Sequence, residues 1–348
     1  MTYALLLGGT LTGAALLWFS CSRLEEATHQ LAEHYGIPDA VKGSVLLAVA
    51  SSMPELVTAL LAFPVHHDFE LGLSAIIGSA IFNILVIPAF SVYARGRPLE
   101  ANRDMVYREG QFYLVSVAVL MLVLSLAVIY NGLDPVINGG GRAIYQGVFT
   151  PFLAMFPLLL YGLYIFIQLE EVKRQRDDHP RKEGVNALKQ WGILLGCIAV
   201  ILVGVEMLLR VAITLGDRLQ TPTFLWGMTI VAAATSLPDT FVSVRASVLG
   251  RTESSVSNVL GSNVFDLLVA VPAGVMFTGA IVINYTQIVP MMVFLVVATV
   301  VMLVFMLRDM RLSMRESHVM MGLYIGFGIW MTLEAFGVTS ILGVRPVP

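Results

Sequence analysis

Long apolar runs, each close to the ~20 residues that cross a bilayer core, alternate with short polar turns along the whole chain. Runs near 2–22, 40–63, 70–93, 110–130, 146–169, 190–212, 221–247, 254–279, 286–307 and 317–336 predict ten transmembrane helices. The first run, Thr2–Ser22, has no basic stretch before it and is long enough to span, so it reads as helix one and not as a cleavable signal. Beyond it Leu24, Ala27, Leu31 and Ala32 keep a helical spacing, so this helix is expected to extend past the bilayer or to bend along its surface.

Polar residues interrupt the apolar pattern at few places, and those places repeat. GSVLLAVASSMPE (Gly43–Glu55) recurs as GMTIVAAATSLPD (Gly227–Asp239), and GSAIFN (Gly78–Asn83) recurs as GSNVFD (Gly261–Asp266). Pro38 and Pro222 keep the register of the first pair upstream. This is an internal duplication. The strongly charged connector 170–189, EEVKRQRDDHPRKEGVNALK, has five predicted helices on either side. An odd number of spans per copy inverts the second copy in the membrane. The expected fold is therefore an all-α polytopic membrane protein of ten transmembrane helices in two inverted five-helix repeats. Repeat one is 1–169, with its polar motif at 43–88, and repeat two is 190–348, with its motif at 227–272. A cytoplasmic linker, 170–189, joins them.

Composition agrees with this pattern. The chain is 57% hydrophobic and only 13% charged, against about 25% charged in soluble domains. The net charge of −3 carries little information, and no nucleic-acid partner is expected. With the amino terminus outside, all but Arg142, Arg210, Arg218 and Arg345 of the 21 Lys and Arg fall on the inner side, as the positive-inside rule requires. Both termini are then outside, and the plasma (cell inner) membrane is the expected location. Cys21 and Cys197 lie in apolar runs and read as packing residues, as do the 17 methionines. His66-His67-Asp68 reads as a solvated turn, Glu206 and Glu334 as interfacial acids, and Gly139–Gly141 as a loop without the context of a phosphate cradle.

Three acids stand in the middle of apolar helices: Glu55, Asp239 and Asp266. An acid at such depth costs roughly 2.5–3.5 kcal/mol on insertion scales and ordinarily faces a polar interior. Hydroxyl and amide residues surround them. Ser51/Glu55, Thr235/Asp239, Ser79/Asn83 and Ser262/Asp266 each stand one helical turn apart and are expected to share a face. Pro54 and Pro238 remove a backbone donor and loosen the carbonyls one turn back. Inversion of the repeats lets Glu55 and Asp239 converge on one centre from opposite sides. Oxygen donors without nitrogen or sulfur suit hard cations such as Na⁺ and Ca²⁺.

LAEHYGIPDAVKGSVLLAVASSMPEL (31–56) with GSAIFNIL (78–85), and TPTFLWGMTIVAAATSLPD (221–239) with SNVLGSNVFDLL (257–268), resemble the two alpha repeats of the calcium/cation antiporter superfamily. The resemblance is greatest to its prokaryotic-type sodium/calcium exchangers. It implies a Ca²⁺ site built by Ser51, Glu55, Thr235 and Asp239. It also implies flanking Na⁺ or accessory-cation sites, at Ala48, Ser51, Ser52, Glu55 and Ser79 on one side and Ala232, Thr235, Ser236, Asp239 and Ser262 on the other. The alanines would act through their carbonyls, and Asn83 and Asp266 would complete the centre. The chain departs from the family pattern at Ala75 and Ala80, where asparagine is usual, while Asn258 and Asn263 are kept. Ser51 stands where threonine is common, and Asp239 replaces a frequent glutamate, as in the potassium-dependent branch.

The expected function is secondary antiport of Na⁺ against Ca²⁺ by alternating access at a midplane site. The alternative is a proton- or potassium-coupled divalent-cation exchanger on the same fold. Three carboxylates can balance three Na⁺, one Ca²⁺ with one K⁺, or one Ca²⁺ with Asp266 protonated. An enclosed site between inverted repeats argues against a channel. The acids have no His or Cys beside them, which argues against an intramembrane hydrolase. No enzymatic activity and no cofactor are expected; the partners are inorganic cations and the lipid bilayer, with a functional monomer.

Overall fold

The computed structural model describes residues 3–36, 42–137, 143–175, 185–336 and 338–339. Pro38, Gly139–Gly141, Arg142, the centre of the charged connector (176–184) and Arg345 lie outside the described residues. In chain order the helical segments are α1 (Tyr3–Tyr35), α2 (42–62), α3 (Phe69–Arg95), α4 (Arg103–Asn131), α5 (Pro151–Gln175), α6 (Ala187–Leu219), α7 (223–248), α8 (252–278), α9 (Tyr285–Asp309) and α10 (Met314–Ala335). Among the described residues seven helices are long and apolar enough to cross a membrane, and nine if α2 and α7, each bent, count as one span. α10, which carries Arg315 and Glu316 in its first turn, falls short of that measure. α1 continues without a break to Tyr35.

Burial separates the helices into two classes. The apolar stretches of α3 and α8 are 94% and 83% buried, whereas those of α1, α5 and α6 are mostly open to the surroundings. A helix that is apolar all round belongs at a centre, and α3 is one. The two central helices carry Ser79, Asn83, Ser262 and Asp266, and the outer helices wrap around them. α1 lies along α6, its counterpart in the second repeat. Their backbones meet where a Cβ on Gly13 would stand 3.1 Å from the Gly204 carbonyl oxygen.

α2 and α7 are each broken at a serine. The halves of α2 meet at 49° about Ser52, and those of α7 at 42° about Ser236. Pro54 and Pro238 begin the second halves. Neither has an N–H for the carbonyl four residues back, Ala50 and Ala234 respectively, yet each is well tolerated in the first turn of a new helix. Wider π-type turns precede both breaks, at Lys42–Leu47 and Gly227–Val231, and a third occupies Asp266–Ala270.

Short antiparallel strand pairs join helix ends. Leu99–Glu100 pairs with Arg311–Leu312, Val136–Ile137 with Ala143–Ile144, and Gln146–Phe149 with Ile281–Asn284. The last pair corrects the predicted start of helix five at 146. Gln146–Phe149 is a strand that ties the two repeats together, and the helix begins at Pro151 after Thr150. An apolar run read by length alone cannot separate a short strand from the helix it leads into.

The backbones of the two repeats come close together between α3 and the first half of α7. A Cβ on Gly78 would stand 2.5 Å from the Met228 carbonyl oxygen, and one on Gly227 would stand 2.6 Å from the Leu71 carbonyl oxygen. Gly78→Ala should therefore destabilise the detergent-solubilised protein by about 1–3 kcal/mol, the usual effect of overpacking. Gly322→Ala, on α10 with open space around it, should leave the thermal midpoint unchanged. Equal midpoints for the two variants would contradict backbone contact at Gly78.

Candidate cation site

The breaks in α2 and α7 decide where the acids sit. Glu55 and Asp239 each occupy the first turn of a second half-helix. The amino end of a helix presents free N–H groups and the positive end of its dipole. A carboxylate that would be costly mid-helix thus gains local stabilisation without a basic partner.

The central helices supply the next contacts. The Ser79 hydroxyl donates to Glu55 Oε1 at 2.9 Å and lies 2.7 Å from the Ser236 hydroxyl. The Asn83 amide donates to Asp239 Oδ2 and to Asn263 Oδ1, both at 3.0 Å. Asn263 in turn donates to the Ala80 carbonyl at 3.1 Å and to the Tyr113 hydroxyl at 3.2 Å. Thr235 lies against Glu55, while Ser51, Ser262 and Asn258 lie around Asp239. Ser52 is near Asp266, and its hydroxyl is 3.5 Å from the Ser262 carbonyl. Glu55, Asp239, Asp266 and all of these hydroxyls are buried, at 0–1% exposure.

The one-turn spacing predicts a shared helical face for Ser51 with Glu55 and for Thr235 with Asp239. The structure adds contacts between the repeats: Thr235 of α7 lies against Glu55 of α2, and Ser51 of α2 lies against Asp239 of α7.

Several acceptors remain unmatched. Glu55 Oε2, Asp239 Oδ1, both Asp266 carboxylate oxygens, Asn83 Oδ1 and Asn258 Oδ1 are buried without a hydrogen-bond donor. The nearby hydroxyls add to this surplus. Ser51 and Thr235 direct their protons to the Ala48 and Ala232 carbonyls, and Ser262 directs its own to Val259, each at 3.2 Å. Their lone pairs are left for the centre. Buried unsatisfied acceptors are destabilising by about 1–3 kcal/mol each, and more when charged. Such a cluster is matched to a positive ion with oxygen preference. Among the described residues no three His, Cys, Asp or Glu side chains are placed to hold a metal by themselves. Hydroxyl, amide and carbonyl oxygens must complete any shell.

The carbonyls of Ala48 and Ala232 also receive the N–H groups of Ser52 and Ser236, at 3.0 and 3.1 Å, and so turn into the two bends. Asn263 and Tyr113 belong to the network although the expected ligand set leaves them out. Asn263 was visible as the only amide in GSNVFD; Tyr113, in a featureless apolar run, gave no signal. Outside the centre, His66 is within 2.8 Å of Glu206, which also pairs with Arg210 at 2.6 Å. Asp68 caps α3 through Leu71 N–H and accepts the Thr223 hydroxyl at 2.6 Å. The turn expected to be solvated is thus tied into the fold. Glu334 is buried and accepts the Thr339 hydroxyl at 2.7 Å.

The sequence profile described as sodium/calcium exchanger protein matches residues 5–170 and 189–333. The chain belongs to the sodium/calcium exchanger family. It is 27% identical over 266 residues to inner membrane protein YrbG of Escherichia coli, covering 74% of this chain and 76% of that one. It is 24% identical over 323 residues to the sodium/calcium exchanger MaX1 of Methanosarcina acetivorans, covering 85% and 90%. A solved structure of the sodium-calcium exchanger NCX_Mj superposes with a TM-score of 0.60 at 21% identity, covering 92% of this chain and 96% of that one. That likeness establishes the fold. The protein is an integral, multi-pass membrane protein of a cation-antiporter family.

The unmatched acceptors make a direct statement about stability. In cation-depleted buffer at neutral pH, Glu55→Gln should raise the thermal midpoint of the solubilised protein, by about 1–3 kcal/mol in stability. Adding Na⁺ or Ca²⁺ should raise the midpoint of the wild type with rising concentration and move the variant far less. A variant less stable than wild type in cation-free buffer would show that the Glu55 carboxylate is already satisfied.

Proposed function

We propose that the protein exchanges Na⁺ for Ca²⁺ by alternating access at the centre formed by α2, α3, α7 and α8. The observation that carries this reading is the surplus of buried acceptor oxygens around Glu55 and Asp239, with hydroxyl protons turned outward to backbone carbonyls. Ca²⁺ takes six to eight oxygen ligands. Ser51, Glu55, Thr235 and Asp239 would hold it, one hydroxyl and one carboxylate from each repeat. Na⁺ or an accessory cation would sit on either side, at Ala48, Ser52 and Ser79 and at Ala232, Ser236 and Ser262. Asn83 and Asp266 would complete the centre.

Coupling follows from shared ligands. Na⁺ and Ca²⁺ are similar in size and both hard, so each requires the Glu55 and Asp239 carboxylates and excludes the other. The empty centre holds facing negative charges in an apolar surround, and a loaded centre neutralises them. Loaded states are therefore favoured for passage between the two sides. The α1/α6 pair, packed on the outside of the central helices, is the natural mobile gate. Ten spans in two inverted repeats, with α10 as the tenth and both termini outside, complete this reading; it is supported by the one-sided distribution of Lys and Arg.

A second reading has one observation in its favour. Neither oxygen of Asp266 has a hydrogen-bond donor, which suits a carboxyl that carries a proton in one half of the cycle. Proton- or potassium-coupled exchange would then act through Asp266, whose repeat-one counterpart is the neutral Asn83.

The test is uptake of radiolabelled Ca²⁺ by proteoliposomes under Na⁺, H⁺ and K⁺ gradients imposed one at a time. A Na⁺ gradient should drive uptake. Glu55→Gln and Asp239→Asn should each lower it about a hundredfold or more, as expected when a charged ligand worth about 3 kcal/mol is lost. Asp266→Asn should retain Ca²⁺ flux with altered dependence on Na⁺, K⁺ or pH. Uptake driven only by H⁺ would replace the first reading with the second. Near wild-type flux in either Glu55→Gln or Asp239→Asn would remove those residues from the shared site.

A further inference from the structure

A cavity of about 290 Å³ lies between α1, α7 and the beginning of α8, on the side that carries Arg245 and Arg251. Ser22, Glu25, Glu26 and His29 of α1 form one wall, and Phe241 and Arg245 of α7 form the other. At about 30 Å³ per water, it has room for a cation with much of its hydration shell. Glu25 Oε1 is buried at this wall and has no hydrogen-bond donor. Arg245 is near enough for Glu25 to feel its charge, yet its guanidinium is held over the Phe241 ring, 5.9 Å from the centroid. Phe241 is itself fixed against Trp18 of α1, with ring centroids 4.8 Å apart. The arginine that would neutralise Glu25 is thus kept on the other wall.

Glu25 is also within electrostatic range of the centre, for it feels the charge of Asp239. One turn earlier on α1 stands Cys21, fully buried, which lies within electrostatic range of Glu25, Glu55 and Asp239 alike.

We propose that Glu25 is a positioning residue for the transported cation, a carboxylate that draws the ion out of the cavity and hands it past Cys21 to Glu55 and Asp239. The ligand class is a hard mono- or divalent cation, partly hydrated. Glu25 acts on one side of the membrane only, so it sets how readily that side loads and leaves the turnover of the loaded centre alone. This assignment rests on the exchange reading for its transport readout and on the cavity for its geometry.

The experiment compares wild type, Glu25→Gln, Glu25→Asp and Arg245→Gln in inside-out and right-side-out vesicles, measuring KM and kcat for Ca²⁺ and Na⁺ from each side. Glu25→Gln should raise KM about fivefold or more from the cavity side alone, with kcat and the opposite KM unchanged; the effect should shrink at high ionic strength, as for electrostatic attraction in a cleft. Glu25→Asp should restore most of the loss, and Arg245→Gln should lower the same KM. Equal changes from both sides, or matching losses in Glu25→Gln and Arg245→Gln as for a closing ion pair, would overturn the proposal. A second readout does not depend on transport: carbodiimide modification of Glu25 in the purified wild type, read by mass spectrometry, should be slowed by Ca²⁺ and by Na⁺. Protection without any Na⁺-driven flux would support Glu25 while rejecting Na⁺/Ca²⁺ exchange. No protection would reject Glu25 even if exchange is observed.

Discussion

Two carboxylates in one apolar interior set the terms for the rest of this molecule. Glu55 and Asp239 are fully enclosed, and among the described residues neither has an ion pair. Such a pair is strongly unfavourable unless the surroundings supply dipoles or a counter-charge. The broken helices answer part of this demand, because each acid sits in the first turn of a new half-helix where N–H groups and the helix dipole favour negative charge. Donors from the central helices, Ser79 to Glu55 and Asn83 to Asp239, answer another part. What is left over is a set of acceptor oxygens with no protein donor, and a transported cation is the species that would meet it.

The centre is built across the two sequence repeats. Each half provides a hydroxyl, an acid and a proline-led break, and each hydroxyl lies against the acid of the other half. Neither repeat therefore holds a complete site. The close backbone contact at Gly78 and Gly227 brings the two halves near enough for these contacts. The centre is also uneven: Asp266 stands where the first repeat has Asn83, and the Asn263 amide reaches the carbonyl of Ala80, whose own side chain has no amide to return. One half thus carries one more carboxyl group than the other.

Much of the architecture was legible because membrane burial leaves a coarse signal. Apolar runs of spanning length locate the helices, and the recurrence of SSMPE as TSLPD marks where prolines loosen the carbonyls of two of them, though not that each helix bends there. The acids were legible for the same reason, since charge at that depth has few structural uses. Less of the detail was. The spacing of Ser51 and Glu55 reads as a shared helical face, but the bend at Ser52 and the contact of Ser51 with Asp239 leave no trace in that spacing. Gln146–Phe149 reads as the start of a helix, because two to four strand residues against a distant partner leave no period of their own. Tyr113 is one aromatic residue in a continuous apolar run; only the fold reveals that its hydroxyl supports Asn263. His66 and Glu206 are far apart in sequence, so their contact could not be read from either segment.

The central proposal is that Na⁺ and Ca²⁺ use the same pair of carboxylates and cannot be bound together. Equilibrium binding of radiolabelled Ca²⁺ to the purified protein, titrated with Na⁺ at constant ionic strength, measures this without any gradient or transport step. Shared ligands predict that Ca²⁺ is displaced completely and that no complex holding both ions at Glu55 and Asp239 accumulates. Ca²⁺ that stays bound at saturating Na⁺ would mean separate sites, and exchange through one common centre would then be wrong.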